Sequence, residues 1–208
     1  MSPSKSAITR QAIIDSACEF LQTRPFRDLS VGGLMKATKY SRATFYQHFN
    51  DLHALMEALL DEVKVGIVEG AMRWLDQSGE SVEDLTHALS TLVDVSYDRG
   101  MILRAVSDAA ASDERLDHVW ESFLRAFDEL VSARIAADQK VGLIPDFDPF
   151  PVARALNRMD AGLLINAFGR APKSDKDDVL AAILRVWLST LYPIRADDLL
   201  ETHKKTQT

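Results

Sequence analysis

Residues 41–49 read Ser41-Arg42-Ala43-Thr44-Phe45-Tyr46-Gln47-His48-Phe49, and this block decides how the rest of the chain is read. Phe45 and Phe49 stand one helical turn apart, so a helix with Ser41 as N-cap sinks both rings into a core. The same geometry turns Arg42, Ala43, Tyr46 and Gln47 to other sides, with Thr44 near the helix start and His48 at its end. Upstream, Ser30 is expected to cap a short second helix with Val31, Leu34 and Met35 as its apolar positions. Thr38-Lys39-Tyr40 then interrupts the pattern before Ser41. A first helix is expected from about Thr9 to Thr23, with Ile13, Ala17, Phe20 and Leu21 inward; Arg24-Pro25 ends it, because proline disfavours helical geometry upstream.

Three short helices with a tight break between the second and third present one exposed helix, and its side chains are types that read a duplex. Arg forks to guanine, Gln to adenine, and Ala meets a thymine methyl, while Tyr, Thr and His hydrogen-bond phosphate. A helix N-terminus adds its own attraction for phosphate. The candidate DNA-contacting set is therefore Ser30, Lys39, Tyr40, Ser41, Arg42, Ala43, Thr44, Tyr46, Gln47 and His48. Charge is distributed to match. Residues 1–49 carry seven basic against three acidic side chains, a net +4, which leaves −11 for the remainder of a chain whose total is −7. A basic segment joined to an acidic body presents one end to phosphates and keeps the other off them.

Working outward, apolar spacings of three and four recur and strand-type alternation is nearly absent, so the chain is expected to be all-α with about nine helices. Asn50 or Asp51 caps a long fourth helix through about Leu75, with Leu52, Leu55, Met56, Leu59 and Val63 inward. Gly66 and Gly70 inside it signal the close approach of a neighbour, and Ser78-Gly79 closes the segment. Further helices are expected at about Val82–Tyr97, Met101–Ala111, Asp113–Gln139, Pro149–Phe168 and Asp175–Tyr192, with frayed polar residues from Asp197 on. The expected division is a helix-turn-helix DNA-binding domain at 1–50 and a helical ligand-binding and dimerisation domain at 51–208.

Hydrophobic content of 47% suits a folded globule, and no apolar run of about 18 residues occurs. A soluble, cytoplasmic protein with no membrane partner is expected. The lone Cys18 reads as a small buried hydrophobe. There is no glycine-rich phosphate loop, no H-E-x-x-H and no cysteine cluster, and the histidines do not repeat at metal-ligand spacing. Asp175, Asp177 and Asp178 suit a helix N-terminus better than a catalytic pair. No catalytic residue, metal or cofactor is expected.

From Val179 to Leu191 the ninth helix is apolar all round with Arg185 its only charge, so it must be covered on every side. The eighth has two apolar tracks, Leu156-Met159-Leu163 and Ala161-Leu164-Phe168. A homodimer through the predicted eighth and ninth helices of both subunits would cover them. Asn157 and Asp160 are polar on an otherwise inward track and need partners, either a structural hydrogen bond or a ligand. Their company is Trp120, Phe123, Leu124 and Phe127 on one helix, Leu85, Leu89, Leu92 and Ser96 on another, Ala161 and Leu164 beside them, and Trp187 on the last. Together these are the candidate ligand-binding residues.

The stretch from Thr9 through Phe49 resembles the DNA-binding domain of the tetracycline-repressor family, on Ile13-x3-Ala17-x2-Phe20, Pro25-Phe26-x3-Ser30-Val31-x2-Leu34 and the Ser41–Phe49 block. The resemblance implies a palindromic double-stranded DNA operator bound by a dimer, with Tyr46 and His48 on the backbone and Arg42 and Ala43 facing bases. It also implies repression relieved by ligand. Met35 and Thr38 replace small alanines, Leu52 replaces a lysine that often touches phosphate, and Lys39 replaces a turn glycine. Lys39 would need a left-handed backbone, costing about 1 kcal/mol, or a changed turn. The C-terminal half is similar to the subgroup that includes the mycobacterial repressor of ethionamide activation, on Ala155-Leu156-Asn157-x-Met159 and Trp187-x4-Tyr192. That similarity implies a small lipophilic effector entering between helices four, five, seven and eight. Asp160 stands where the subgroup has an amide, which implies an effector with a donor or cationic group. The rival reading is an all-helical small-molecule-binding or scaffolding dimer without DNA binding, which salt-dependent binding to specific DNA would separate.

Overall fold

A computed structural model describes residues 4–77 and 81–192. The expected closure at Ser78-Gly79 and the polar end from Asp197 on lie outside the described residues. Among those described, the chain forms eight α-helices and no strand: α1 (Lys5–Leu21), α2 (Val31–Ala37), α3 (Arg42–Tyr46), α4 (Leu52–Leu75), α5 (Ser81–Ala110), α6 (Glu114–Lys140), α7 (Pro149–Phe168) and α8 (Lys176–Leu191). A short 3-10 turn, Phe26–Asp28, follows α1. None of the described helices is long and apolar enough to cross a membrane.

Helix starts are set by side-chain caps. Ser30 Oγ accepts from Gly33 N–H at 3.1 Å, Ser41 Oγ from Thr44 N–H at 3.2 Å and Asp51 Oδ1 from Ala54 N–H at 2.9 Å. The first helix begins four residues earlier than expected, because Ser4 Oγ accepts from Ala7 N–H at 3.1 Å and starts it there.

The turn between α2 and α3 resolves the departure at Lys39. Positive φ outside glycine occurs, among the described residues, at Gln77 and not at Lys39. Thr38 does the work of the missing glycine: it is extended, and its hydroxyl donates to Met35 C=O at 3.1 Å and accepts from Tyr40 N–H at 3.2 Å. The turn is changed rather than strained.

The two helices expected at Val82–Tyr97 and Met101–Ala111 are one helix, α5, which brings the number to eight. Arg99-Gly100 reads as a break, but Gly100 is buried inside α5, and a Cβ there would stand 2.7 Å from the Phe168 carbonyl carbon. The glycine serves the approach of α7, not a turn. Gly70 of α4 serves α5 in the same manner, since a Cβ there would overlap Thr91, whereas one at Gly66 would only touch Val95. The predicted eighth and ninth helices are accordingly α7 and α8.

One buried cluster runs without interruption from Ile13, Ile14 and Phe45 through Leu55, Met56 and Leu59 of α4 to Val106 and Leu116. Cys18 lies within it. A second cluster, centred on Trp74, Leu85, Ile135, Phe168, Ile183 and Trp187, fills the other end. Helix α4 contributes to both.

Gly100→Ala is expected to lower unfolding free energy by about 1–3 kcal/mol, the cost of overpacking a helix contact, in a urea titration with helical content retained. Gly66→Ala, whose Cβ would meet Val95 at an ordinary 3.6 Å, is expected to be neutral or to stabilise by up to about 1 kcal/mol.

Candidate functional site

Phe45 and Phe49 are 0% and 5% exposed, with ring centroids 5.6 Å apart, and they hold α3 against the first cluster. That anchoring leaves Ser41, Arg42, Ala43, Tyr46 and Gln47 exposed, with Thr44 and His48 half-buried at the helix ends. Tyr46 reaches 59% exposure, unusual for an aromatic side chain of its size, and it points away from the core that its neighbour fills. Ser30 and Lys39 are exposed and Tyr40 half-buried, with the Lys39 ammonium 5.7 Å from the Tyr40 ring centre. Helix α3 ends at Tyr46, short of the expected Phe49, so the ten predicted contact residues lie at the start of α2, on α3 and in the turns on either side of it. The Arg42 guanidinium folds back over Gly32, where the absent Cβ leaves it room. The fold adds a cation that sequence reading passed over: Arg10 of α1 stands 5.1 Å over the Phe49 ring, beside the end of α3.

Helix α4 leaves this surface and is tied to α6 by a crossed pair. Asp51, the cap of α4, accepts from Arg115 Nη1 of α6 at 2.8 Å. Asp113, the cap of α6, lies 2.8 Å from His53 Nε2 of α4. The Ala54 N–H, followed by Arg115, holds the Asp51 carboxyl below the usual carboxylate range, and the His53 hydrogen bond does so first for Asp113.

Between α4, α5, α6 and α7 lies a cavity of about 100 Å³, with Trp187 of α8 at its wall. Every predicted ligand-binding residue, from Leu85, Leu89, Leu92 and Ser96 through Trp120, Phe123, Leu124 and Phe127 to Asn157, Asp160, Ala161, Leu164 and Trp187, lines it. Sequence reading placed the fourth helix at the site but named none of its lining residues, Ile67, Val68, Ala71, Trp74 and Leu75. The signal was there, since Val63, Ile67, Ala71 and Trp74 continue the inward spacing of four, four and three.

The polar residues of the wall differ in how they are satisfied. Asn157 Nδ2 donates to Asp128 Oδ1 at 2.9 Å, and Arg158 Nη1 lies 3.3 Å from the other Asp128 oxygen, so Asn157 serves a structural network. Asp160 is 3% exposed; its Oδ2 accepts from Trp187 Nε1 at 2.9 Å, while Oδ1 has no hydrogen-bond partner among the described residues. Ser96 Oγ, in a residue 1% exposed, is likewise without one. Burial pushes the Asp160 carboxyl up to about 7, against the smaller opposing pull of the Trp187 bond.

One end of the cavity is closed by a buried network. Trp74 Nε1 donates to Tyr192 Oη at 3.2 Å, and Tyr192 Oη donates to Asp138 Oδ2 at 2.8 Å. Asp138 also accepts from Arg134 Nε at 3.0 Å and Gln77 Nε2 at 2.9 Å, and Arg134 stacks over Trp74. Burial first, and the Asp138 neighbour after it, push the Tyr192 hydroxyl up to about 12. Among the described residues, no group of three His, Cys, Asp or Glu side chains could hold a metal ion.

Residues 85–193 match the family model for the C-terminal domain of the transcriptional regulator EthR, and residues 13–59 match that for bacterial regulatory proteins of the tetR family. The chain is 28% identical to the HTH-type transcriptional regulator EthR of Mycobacterium tuberculosis over 187 residues, 87% of this chain and 86% of that one. Its fold is similar to a TetR-family regulator structure from Syntrophomonas wolfei, with TM-score 0.78, 16% identity and 87% and 93% of the two chains covered. It is similar too to Thermus thermophilus FadR, a TetR-family repressor solved with lauroyl-CoA, with TM-score 0.65, 22% identity and 86% and 93% covered.

The position of Asp160 sets a pH dependence. Its folded value of about 7 lies above the ordinary 3.8, so the fold holds a proton that the unfolded chain releases between those values. The contribution is full below the unfolded value and is lost as pH rises through about 7. Asp160→Asn is expected to remove that loss, so its stability relative to the parent rises from pH 4 to pH 8 by at most about 4 kcal/mol. Parallel denaturation curves for the two proteins at both pH values would show that Asp160 does not titrate this way.

Proposed function

The chain belongs to the tetR family of bacterial regulatory proteins, with a C-terminal half of the EthR type, and on that premise we propose that it is a repressor that grips a palindromic operator as a homodimer and lets go when a small lipophilic effector fills the cavity. One observation carries this reading: a single helix, α4, leaves the exposed α3 surface and goes on to form a wall of the apolar cavity. Residues 1–50 act as the reader and 51–208 as the effector-binding and dimerising body, working in the cytoplasm without catalytic chemistry.

A lone α3 spans about half a site, so two readers are needed on symmetric half-sites. The outward faces of α7 and α8 suit the pairing. On α8, Ala181, Ala182 and Val186 are exposed and Leu180, Leu184 and Leu188 half-buried, a surface with Arg185 as its one described charge between Val179 and Leu191. Such a strip is what an isologous four-helix contact covers.

The cavity volume supports coupling. Drug-sized ligands occupy sites of roughly 300–1,000 Å³, so an effector must push apart walls that now enclose about 100 Å³. Of the walls, α4 is tied at both ends, by ties of unequal strength. At the far end Trp74 Nε1 donates to Tyr192 Oη inside the core, where stranding a buried donor costs on the order of 1–3 kcal/mol. The Asp51–Arg115 and Asp113–His53 tie is partly exposed, where such pairs contribute up to about 1 kcal/mol each. The α3 end of α4 therefore yields first, and the two readers lose their spacing. The effector drives this only by its preference for the tipped conformer. Lauroyl-CoA in Thermus thermophilus FadR is a ligand with a long apolar chain, the chemistry that this cavity wall favours.

DNA selection followed by fluorescence anisotropy tests the reading. A palindrome bound far above random duplex is expected, and Arg42→Ala should weaken it by about 1–3 kcal/mol and relax base choice. Binding no better than to random duplex would leave a small-molecule-binding dimer instead. Arg115→Ala is expected to lower operator affinity and to raise effector affinity, because it shifts the balance of the two conformers toward the tipped one. Both affinities unchanged would remove the α4–α6 tie from the coupling.

A further inference from the structure

Resting on that reading of the cavity, we propose that Asp160 makes it selective for a cationic effector, an amine whose ammonium pairs with the free Oδ1 while its apolar body lies along Trp120, Phe123 and Phe127. The case begins with what the cavity lacks. Its lining includes no Lys, Arg or His among the described residues, yet it buries a carboxyl group with one oxygen unpartnered. An unpartnered buried acceptor is costly, and more so when charged. Trp187 has a single N–H to give and gives it to Oδ2, so the indole cannot serve Oδ1 as well.

The other polar groups of the wall point to the same ligand chemistry. Asn157, the one amide, is committed to Asp128, which also takes Arg158, so a neutral head group seeking an amide would first have to break that network. Ser96 Oγ stands open in the α5 wall as a second acceptor. Two unfilled oxygens suit a head group rich in donors, and an ammonium carries three with no acceptor of its own. The ion pair is a charge-assisted hydrogen bond in a site shielded from water, stronger than the neutral alternative. Trp120 and Phe123, stacked with centroids 5.5 Å apart, add faces that attract a cation on its way in. A carboxylate effector meets like charge at an ionised Asp160, and of the two oxygens only the Ser96 hydroxyl has a proton to offer it. The upward push on the Asp160 carboxyl has the same origin, a buried charge with no cation beside it.

A matched series separates this inference from the reading beneath it. Phenylbutylamine, phenylbutanol and phenylbutyrate share one apolar body and differ in the head group. Each is titrated into the full chain and into Asp160→Asn by calorimetry, with tryptophan fluorescence reporting occupancy beside Trp120 and Trp187. The amine is expected to bind the parent protein at least about tenfold more tightly than the alcohol, with the carboxylate weakest. In Asp160→Asn the amine loses that advantage and the alcohol is nearly unchanged. Alcohol binding as tight as amine binding in the parent protein overturns the charge selectivity and leaves the effector cavity standing, and it does so without need of the variant. Failure of all three to bind overturns the cavity reading and this inference with it.

Discussion

Helix α4 is packed into both buried clusters at once. Leu55, Met56 and Leu59 near its start belong to the core that holds α3, and Trp74 near its end belongs to the core around Trp187. A helix of its 24 residues is a rod of about 36 Å whose backbone bonds are internal, so it transmits a tilt and resists bending. The placement of the exposed α3 surface, the shape of the cavity and the way the two are joined all follow from that shared rod. Gly70 lets α5 lie close along it, because a Cβ there would run into Thr91.

Three buried carboxylates show how polar groups are apportioned around the cavity. Asp138 is met by Arg134, Tyr192 and Gln77, and Asp128 by Asn157 and Arg158. Both are structural, since each charge has its counter-charge and donors nearby. Asp160 has one indole N–H, no cation in its cavity wall among the described residues and one open oxygen. Closed networks hold helices together, whereas an incomplete one in a cavity wall is a place for a ligand to complete.

The ties at the two ends of α4 differ in chemistry and in surroundings: carboxylates meet Arg115 and His53 at one, and an indole N–H meets the Tyr192 hydroxyl at the other. A polar contact between elements occurs in both, yet Trp74 and Tyr192 sit in the core while Arg115 and Asp51 meet water. Screening weakens one pair and not the other. The two ends of α4 therefore differ in how strongly their surroundings hold them, the Trp74 end in the core and the Asp51 end beside water.

Much of this was legible along the chain. The Ser30, Ser41 and Asp51 caps, the Phe45–Phe49 anchor, the leucine stripe of α5 and the aromatic stripe of α6 are local patterns, because helical periodicity and capping act over three or four residues. They determine that the protein is all-α, which face of α3 stays outside and which side chains converge on a cavity. What no local pattern contained was the company each group keeps across the fold. Gly100 looked like a break until Phe168 was seen to need its missing Cβ; Lys39 looked strained until Thr38 supplied the turn. Likewise Asn157 and Asp160, one turn apart and alike in sequence, parted ways because Asp128 reaches one and only Trp187 reaches the other. Tertiary packing alone decided those outcomes, since a hydrogen-bond partner or a steric neighbour dozens of residues away leaves no periodic trace in the sequence.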